Sequence, residues 1–236
     1  SATSSTAMGE DSTASGAYSL ASGYNTTASN SATVALGNST SASGHTAIAI
    51  GYGTTASGGY TTAMGYDTEA SGTSSTAMGE ETTANGEYST AMGYNTTASG
   101  DASTVMGEET TASDYGSLVI GQYNDSGSSV TNNATQFNTA NTAFVIGNGT
   151  ASNAKSDAFK VMFNGDTTVS NDLTVSGDVN ISSDVRLKSN IASLGATLSK
   201  LLQIDGKSYE MKGKQKIGVL AQEIQEVFPE LVSEDD

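Results

Sequence analysis

Residues 62–79 read TAMGYDTEASGTSSTAMG, and this stretch sets the pattern for most of the chain. The segment that ends at Gly65 recurs fourteen residues later as the segment that ends at Gly79, and a shorter half-repeat ends between them at Gly72. Self-similarity at a short fixed period is typical of a solenoid, in which each repeat forms one coil of a stack. The stretch therefore predicts a solenoid with fourteen residues per coil.

Glycine recurs every seven residues from Gly9 to Gly121, except that Asn30 and Asp114 stand at two of these positions. Asn and Asp are the residues that best tolerate left-handed backbone after glycine. The spacing therefore indicates a turn that needs left-handed backbone, and not a bias in composition.

The segments between the glycines are short, rich in Thr and alternating in polarity, which predicts β-strands. Positions three and one before the glycine of one half-repeat share a strand face, and the large side chains gather there. Two short strands per coil leave little room for an interior, so we expect identical chains, assembled about an axis, to cover these side chains. The clearest copies are Val34/Leu36, Ile48/Ile50 and Leu118/Ile120, and most others have Thr and Met.

Charge divides the chain into two parts. The formal net charge of the 236 residues is −16, and all nine basic residues lie at or after Lys155. Nucleic acid is excluded as a partner because an acidic chain is repelled by phosphates. The chain has no Cys, which excludes disulfides and thiolate metal sites. No apolar run is long enough for membrane insertion, and we interpret the sequence, which starts at Ser1 without a signal segment, as part of a longer protein.

The alternation of Ala-Met-Gly or Ala-Ile-Gly with Ala-Ser-Gly every fourteen residues resembles the head repeats of trimeric autotransporter adhesins. The resemblance covers about residues 1–150 and implies a mostly β fold, a homotrimeric left-handed parallel β-helix that phage tail fibres also use. We expect repeats over 1–121, and an insertion of about twelve residues with a last repeat over 122–147. The insertion is expected to form a loop or the start of a neck.

Residues 148–182 are predicted to form a small β neck shared by three chains. The alternating runs 158–163 and 172–175 are separated by Asn164-Gly165-Asp166, a strong hairpin signal. A weaker break of the same kind follows at residues 176–178.

The last segment, 183–236, contains SDVRLKSNI from Ser183 and IGVLAQEIQEVFPELV from Ile217. Apolar spacing predicts a helix over 191–202, residues 216–219 are expected to form a strand, and residues 220–228 an amphipathic helix that ends at Pro229. Without the second motif, Ser183 or Asp184 would be taken as a helix N-cap. The two motifs together resemble the N-terminal part of the intramolecular chaperone of phage endosialidases and tail spikes, an α+β module.

The chaperone resemblance implies that this segment helps three chains to register and then cleaves itself off. Ser183 would be the nucleophile, Lys188 the base, and Ser183–Asp184 the scissile bond. A free Lys, with a pKa of about 10.4, is protonated at neutral pH and cannot act as a base. Burial lowers the pKa of Lys, so we expect Lys188 to become a base only when the trimer closes around it.

Other candidate residues lie in the repeats. Tyr24, Tyr52, Tyr66 and Tyr94 each follow a glycine and are expected to form a row along one edge, either stacking on sugar rings or covering neighbouring coils. The pairs Glu10-Asp11, Glu80-Glu81 and Glu108-Glu109 are compatible with Ca²⁺ held between chains or with a solvated face. We predict the solvated face, no metal and no cofactor, and His45, the single His, is expected to be structural.

The predicted function is a trimeric tail-fibre segment of a phage or prophage, located in the virion tail, that attaches to a glycan or protein on the host surface. It is not predicted to act on external substrates. A bacterial trimeric surface adhesin is the alternative, and a glycan-degrading tail spike or an ice-binding solenoid are further ones. The ice-binding alternative rests on a row of threonines on the strand face that is expected to point inward in the assembly, namely Thr6, Thr62, Thr76, Thr90 and Thr104.

Overall fold

The structure, a computed structural model, describes residues 3–175, 189, 197–211 and 214–229. The chain forms two compact units, Ser1–Thr174 and Val175–Asp236. In the first unit, two strands alternate along the chain, one of mostly five residues and one of two. The longer strands are β1 (Thr6–Met8), β3 (Leu20–Tyr24), β5 (Val34–Asn38), β7 (Ile48–Tyr52), β9 (Thr62–Tyr66), β11 (Thr76–Glu80), β13 (Thr90–Tyr94), β15 (Thr104–Glu108) and β17 (Leu118–Gln122).

The shorter strands form the second wall of each coil. They are β2 (Thr13–Ala14), β4 (Thr27–Ala28), β6 (Ser41–Ala42), β8 (Thr55–Ala56), β10 (Glu69–Ala70), β12 (Thr83–Ala84), β14 (Thr97–Ala98) and β16 (Thr111–Ala112). Each strand pairs in parallel with its equivalent one coil later, as Thr62 does with Thr76 and Gly65 with Gly79. The longer strands belong to a 12-stranded sheet and the shorter ones form an 8-stranded sheet. The predicted 14-residue β-solenoid is confirmed.

The coil has an interior, and small side chains fill it. The second residue of each five-residue strand points inward, so Ala35, Ala49 and Ala63 stack as a fully buried column, which Val105 and Val119 continue. A second alanine column comes from the shorter strands, and buried Thr and Ser precede both kinds of strand. The interior is narrow, as expected, and only Ala, Ser, Thr and a few Val fill it. The larger side chains lie outside.

Glycine has two different roles at its seven-residue spacing. After the longer strands its φ is positive, as at Gly65 (φ +134°). After the shorter strands φ is not positive, but a Cβ on Gly72 would lie 2.0 Å from the carbonyl oxygen of Gly86 in the next coil. The left-handed explanation of Asn30 and Asp114 is therefore wrong, because both stand in the second series and have no positive φ.

Left-handed backbone also occurs two residues after every position of the seven-residue series. Every seventh residue from Ser4 to Tyr123 has φ between 44° and 68°. Most of these residues are not glycine, and they include the β-branched Thr46 and the bulky Tyr60, for which such a φ is unusual. Stacking holds them in place, since from Tyr18 onward the N–H of each bonds a carbonyl of the previous coil, as from Tyr60 to His45 O at 2.8 Å.

The solenoid ends in a loop and an antiparallel extension. Strand β18 (Thr142–Asn148) pairs in parallel with β17, Leu118 opposite Phe144, so the intervening residues form the predicted loop. Strands β19 (Asp157–Met162) and β20 (Thr167–Val169) then continue the same sheet in antiparallel fashion. The Asn164-Gly165-Asp166 hairpin is confirmed. The strand expected at 172–175 is wrong, because after this tight turn the residues that pair with β19 are those immediately following it, 167–169. The second break lies outside the described residues.

The side chains of the loop cap the open edge of the 8-stranded sheet. Asn124, almost fully buried, accepts a bond from the Thr111 N–H at 2.8 Å and donates to Thr111 O at 2.9 Å. These are the two bonds that a further strand would make. Buried Asp114 accepts the N–H groups of Thr131 and Thr142, each at 2.7 Å. The loop thereby closes an edge that would otherwise be free to pair with another chain.

The second unit contains two helices and one hairpin among its described residues. They are α1 (Leu198–Leu201), β21 (Lys207–Met211), β22 (Lys214–Gly218) and α2 (Ala221–Val227). The predicted strand and second helix are confirmed within about two residues, whereas β21, the antiparallel partner of β22, was missed. Most of the predicted helix over 191–202 lies outside the described residues. No described helix is long and apolar enough to cross a membrane.

Candidate functional site

The last residues of the longer strands form a continuous ladder along one edge of the solenoid, which we call the edge ladder. Strand register places each member beside its equivalent in the next coil, so the four predicted tyrosines fall in one row as expected. In order the ladder is Tyr24, Asn38, Tyr52, Tyr66, Glu80, Tyr94, Glu108 and Gln122.

Tyr52 and Tyr66 form a stacked pair at the centre of the edge ladder. Their ring centroids lie 5.1 Å apart with an interplanar angle of 6°. Both side chains nevertheless stay about half exposed, at 49% and 45%. Asn38 and Glu80 separate this pair from Tyr24 and Tyr94. The ladder thus presents one two-ring aromatic surface flanked by single rings, and a binding role for it stays a prediction.

Acidic residues of adjacent turns surround the tyrosines. The Asp67 carboxylate, followed by burial, raises the pKa of Tyr66, and the Glu81 carboxylate is the main cause of the raised pKa of Tyr94. A negative neighbour disfavours the phenolate, so both hydroxyls remain hydrogen-bond donors at neutral pH. The edge is therefore anionic, and the hydroxyls of its tyrosines still donate hydrogen bonds.

Sequence reasoning missed a second set of exposed tyrosines. Tyr18, Tyr60 and Tyr88 occupy the left-handed position before a longer strand, and each is more than 60% exposed. The His45 ring lies 5.4 Å from that of Tyr60, and His45 Nδ1 is 2.9 Å from Thr46 Oγ1. Their spacing was a usable signal, because positions 18, 60 and 88 are equivalent in the 14-residue repeat.

The acidic pairs do not form a metal site among the described residues of this chain. Glu10-Asp11, Glu80-Glu81 and Glu108-Glu109 lie at the same turn of different coils. No group of three or more described His, Asp or Glu side chains is arranged to hold a metal ion.

The outward face of the 12-stranded sheet has large apolar side chains along its length. Its large side chains flank the inward alanines and lie half-buried or exposed at the surface of the single chain. Thr62, Thr76, Thr90 and Thr104 share this face, but apolar residues take their place in other coils, so the Thr row is interrupted. We call this face the apolar stripe; it consists of Leu20, Val34, Leu36, Ile48, Ile50, Met64, Met78, Met92, Met106, Leu118 and Ile120.

The predicted self-cleavage residues, Ser183, Asp184 and Lys188, lie outside the described residues. Within the second unit, Lys207 connects β21 to α2 through ion pairs to Asp205 (2.9 Å) and Glu223 (3.1 Å). Hydrogen bonds to these two carboxylates raise the pKa of Lys207. This lysine is therefore a charged structural group and cannot serve as a base.

Comparison with known families agrees with this geometry. The family described as the YadA head domain repeat (2 copies) matches residues 1–26, 14–40, 42–68, 70–96 and 98–124, together just over half of the chain. The chain therefore belongs to the YadA head repeat family. A second family, described as the chaperone of endosialidase, matches residues 183–233. None of the curated proteins compared with the chain matches it.

The two families define the class of protein. It is an adhesin-like or tail-fibre-like protein whose repeats indicate trimeric assembly, with a chaperone behind them. The chaperone family is linked to self-cleavage. Proteins of these families belong to extracellular surfaces or phage tails.

Proposed function

We propose that the chain is a segment of a trimeric phage or prophage tail fibre that attaches to a host-surface glycan or protein. The observation that supports it is the presence of YadA head repeats and an endosialidase chaperone in one chain. The chaperone favours the phage setting, since the repeats alone would favour a bacterial adhesin.

The apolar stripe supports the trimer. Ile48 and Ile50 point away from the alanine interior and remain half-exposed in the single chain. Burying apolar surface stabilises by about 25 cal/mol per Å², so a stripe that runs along eight coils favours association. Identical chains around one axis bring equivalent coils together and cover the stripe on all three.

We further propose that the chaperone releases itself at the Ser183–Asp184 bond. Lys188 accepts the hydroxyl proton of Ser183 while the Ser183 oxygen attacks the carbonyl carbon of the scissile bond. The C–N bond breaks, Asp184 leaves as an amine with the proton that Lys188 took, and water hydrolyses the ester to leave a carboxylate on Ser183. Closure of the trimer supplies the burial that lowers the pKa of Lys188, by about 3–5 units for a fully buried group.

Expression of the complete parent protein tests the cleavage. Gel electrophoresis and mass spectrometry should show a fragment that ends at Ser183, and Ser183→Ala and Lys188→Ala should each abolish it. Ser189→Ala and Lys200→Ala are matched controls and should cleave as the parent does. Equal cleavage in all five proteins would reject the Ser/Lys dyad.

The bacterial adhesin is the second candidate, because the YadA repeats match more of the chain than the chaperone does. The sequence encoded on either side of residues 1–236 separates the two. A virion-attachment segment supports the fibre, whereas a membrane anchor supports the adhesin.

A further inference from the structure

A cavity of about 340 Å³ lies where the solenoid meets its antiparallel extension, and it contains the only two cations of the first unit. Its lining includes Lys155 and Lys160 together with Asp125, Ser126, Ser156, Asp157, Thr168 and Ser170. A volume above about 300 Å³ is typical of sites for small ligands. Nowhere else in residues 1–174 does the sequence place a positive charge.

The strands bring the polar groups together on one face. Lys160 on β19 pairs directly with Thr168 on β20, and Ser170 follows two residues later on the same side. Cross-strand partners lie within about 5.5 Å of each other at Cβ, so the ammonium and the hydroxyls can contact one ligand. The loop that holds Lys155 is fixed by the Thr150 N–H bond to Ala154 O, at 3.0 Å.

Both lysines are available to a ligand. Neither forms an ion pair within the part of the chain that the structure describes. Of the two carboxylates in the lining, that of Asp157 accepts the backbone N–H groups of Asp125 (3.0 Å) and Ser126 (2.9 Å). The two ammonium groups of the lining balance its two carboxylates, and because the Asp157 oxygens already accept hydrogen bonds, the lysines remain the groups that attract an anion.

We infer that this cavity binds an acidic saccharide, with the anionic group of the sugar between Lys155 and Lys160. The Asp125 carboxylate and the Thr168 hydroxyl, which makes no hydrogen bond with a described residue, would bond the sugar hydroxyls. A bare anion would leave these acceptors without a role, which is why a sugar acid fits better than phosphate. The inference rests on the proposed function, because it supplies the receptor chemistry that an attachment fibre needs.

Calorimetry on the full, assembled chain tests the site with glucuronic acid, N-acetylneuraminic acid and glucose 6-phosphate as probes. These should bind, whereas neutral glucose and inorganic phosphate should not. Lys160→Met and Lys155→Met, which keep most of the apolar stem, should each weaken binding about tenfold, as expected for a hydrogen bond to a charged group. Ser39→Asp changes the net charge equally at an exposed turn that has Asp in other coils, and should leave binding unchanged.

Three results would overturn the inference. Inorganic phosphate that binds as tightly as the sugar acids would show that the site recognises negative charge and not the sugar. Absence of binding together with a lower melting temperature of the Lys160→Met trimer would show that the lysines pair with carboxylates of a neighbouring copy. Attachment to host cells that Lys155→Met and Lys160→Met leave intact, without sugar-acid binding, would reject this site while the proposed function stands.

Discussion

At Gly65 two constraints act on one residue. Its φ of +134° is rarely adopted by residues with a side chain, and a Cβ there would lie 1.8 Å from the carbonyl oxygen of Gly79. Backbone strain of this kind costs about 1–3 kcal/mol, and the overlap adds to it. Sequence predicted that the position needs glycine. The sequence could not show whether the positive φ or the close carbonyl oxygen requires glycine, because the absence of a Cβ satisfies both constraints.

Gly65→Ala is therefore expected to lower the free energy of unfolding by at least about 2 kcal/mol, measured by chemical denaturation. Gly59→Ala is the matched control, because Gly59 has no positive φ and nothing lies within 4 Å of its would-be Cβ. The control should be neutral or slightly more stable, since alanine restricts the unfolded chain. Equal losses in the two variants would contradict the dual constraint.

The buried threonines divide into two kinds according to the half-repeat in which they lie. Thr61 donates its hydroxyl to Gly58 O at 2.8 Å, whereas the Thr68 hydroxyl is buried and bonds no described residue. Leaving a buried hydroxyl without a partner costs about 1–3 kcal/mol, and removing it releases that cost.

Thr68→Val is thus expected to keep or raise the melting temperature, while Thr61→Val should destabilise by about 1 kcal/mol. The two substitutions remove the same atom from the same kind of coil, so the volume change is matched. Calorimetric melting of both variants checks the pair, and a larger loss for Thr68→Val would show that its hydroxyl has a bonding role.

At the scale of elements, the repeat was predictable and the ends were not. The period fixes which residues pair, so the register of β3 to β17 follows from counting. Strand β20 was misplaced at 172–175 because Leu173 and Val175 are more apolar than residues 167–169, whereas the Asn164-Gly165 turn imposes its own register. The capping by Asn124 was not predictable, because a single Asn in a polar loop has no periodic signal.

Asn124→Ala should loosen the end of the solenoid. It removes both side-chain bonds to Thr111 and leaves that N–H and carbonyl unpaired, a loss of about 1–3 kcal/mol. Hydrogen exchange should show faster exchange of the Thr111 amide, with little change in the first coils. Asn85→Ala is the control, since Asn85 is exposed at a turn where other coils have Ser. Unchanged protection of Thr111 would mean that other loop contacts hold this edge.

For the candidate sites, the sequence predicted which residues align but not their surroundings. Tyr52 and Tyr66 fall in one row by spacing alone, yet their stacking and the acids around Tyr66 depend on where the turns place each side chain. The lysine cavity was missed because Lys155 and Thr168 come together only through the β19–β20 hairpin and the loop before it.

At the scale of the whole molecule, the inward and outward faces of the longer strands have different roles, one in folding and the other in assembly. The alanine face folds one coil against the next, while the apolar stripe is left for partners. Ile50→Glu places a carboxylate in the stripe of each chain, so a trimer would bring three equivalent charges together out of water. Desolvating unpaired charges is costly, and we expect the variant to dissociate or to melt well below the parent. Light scattering and thermal melting measure the two effects.

Tyr52→Glu is the matched control for Ile50→Glu, because it adds the same charge on the same strand, β7, at an exposed edge-ladder position. Equivalent coils already have Glu80 and Glu108 there, so this variant should remain trimeric. If Ile50→Glu stayed trimeric with an unchanged melting temperature, the stripe would not be the assembly surface. A stable folded monomer of the parent would go further. It would show that the stripe tolerates water, and that closure of a trimer cannot be what activates Lys188.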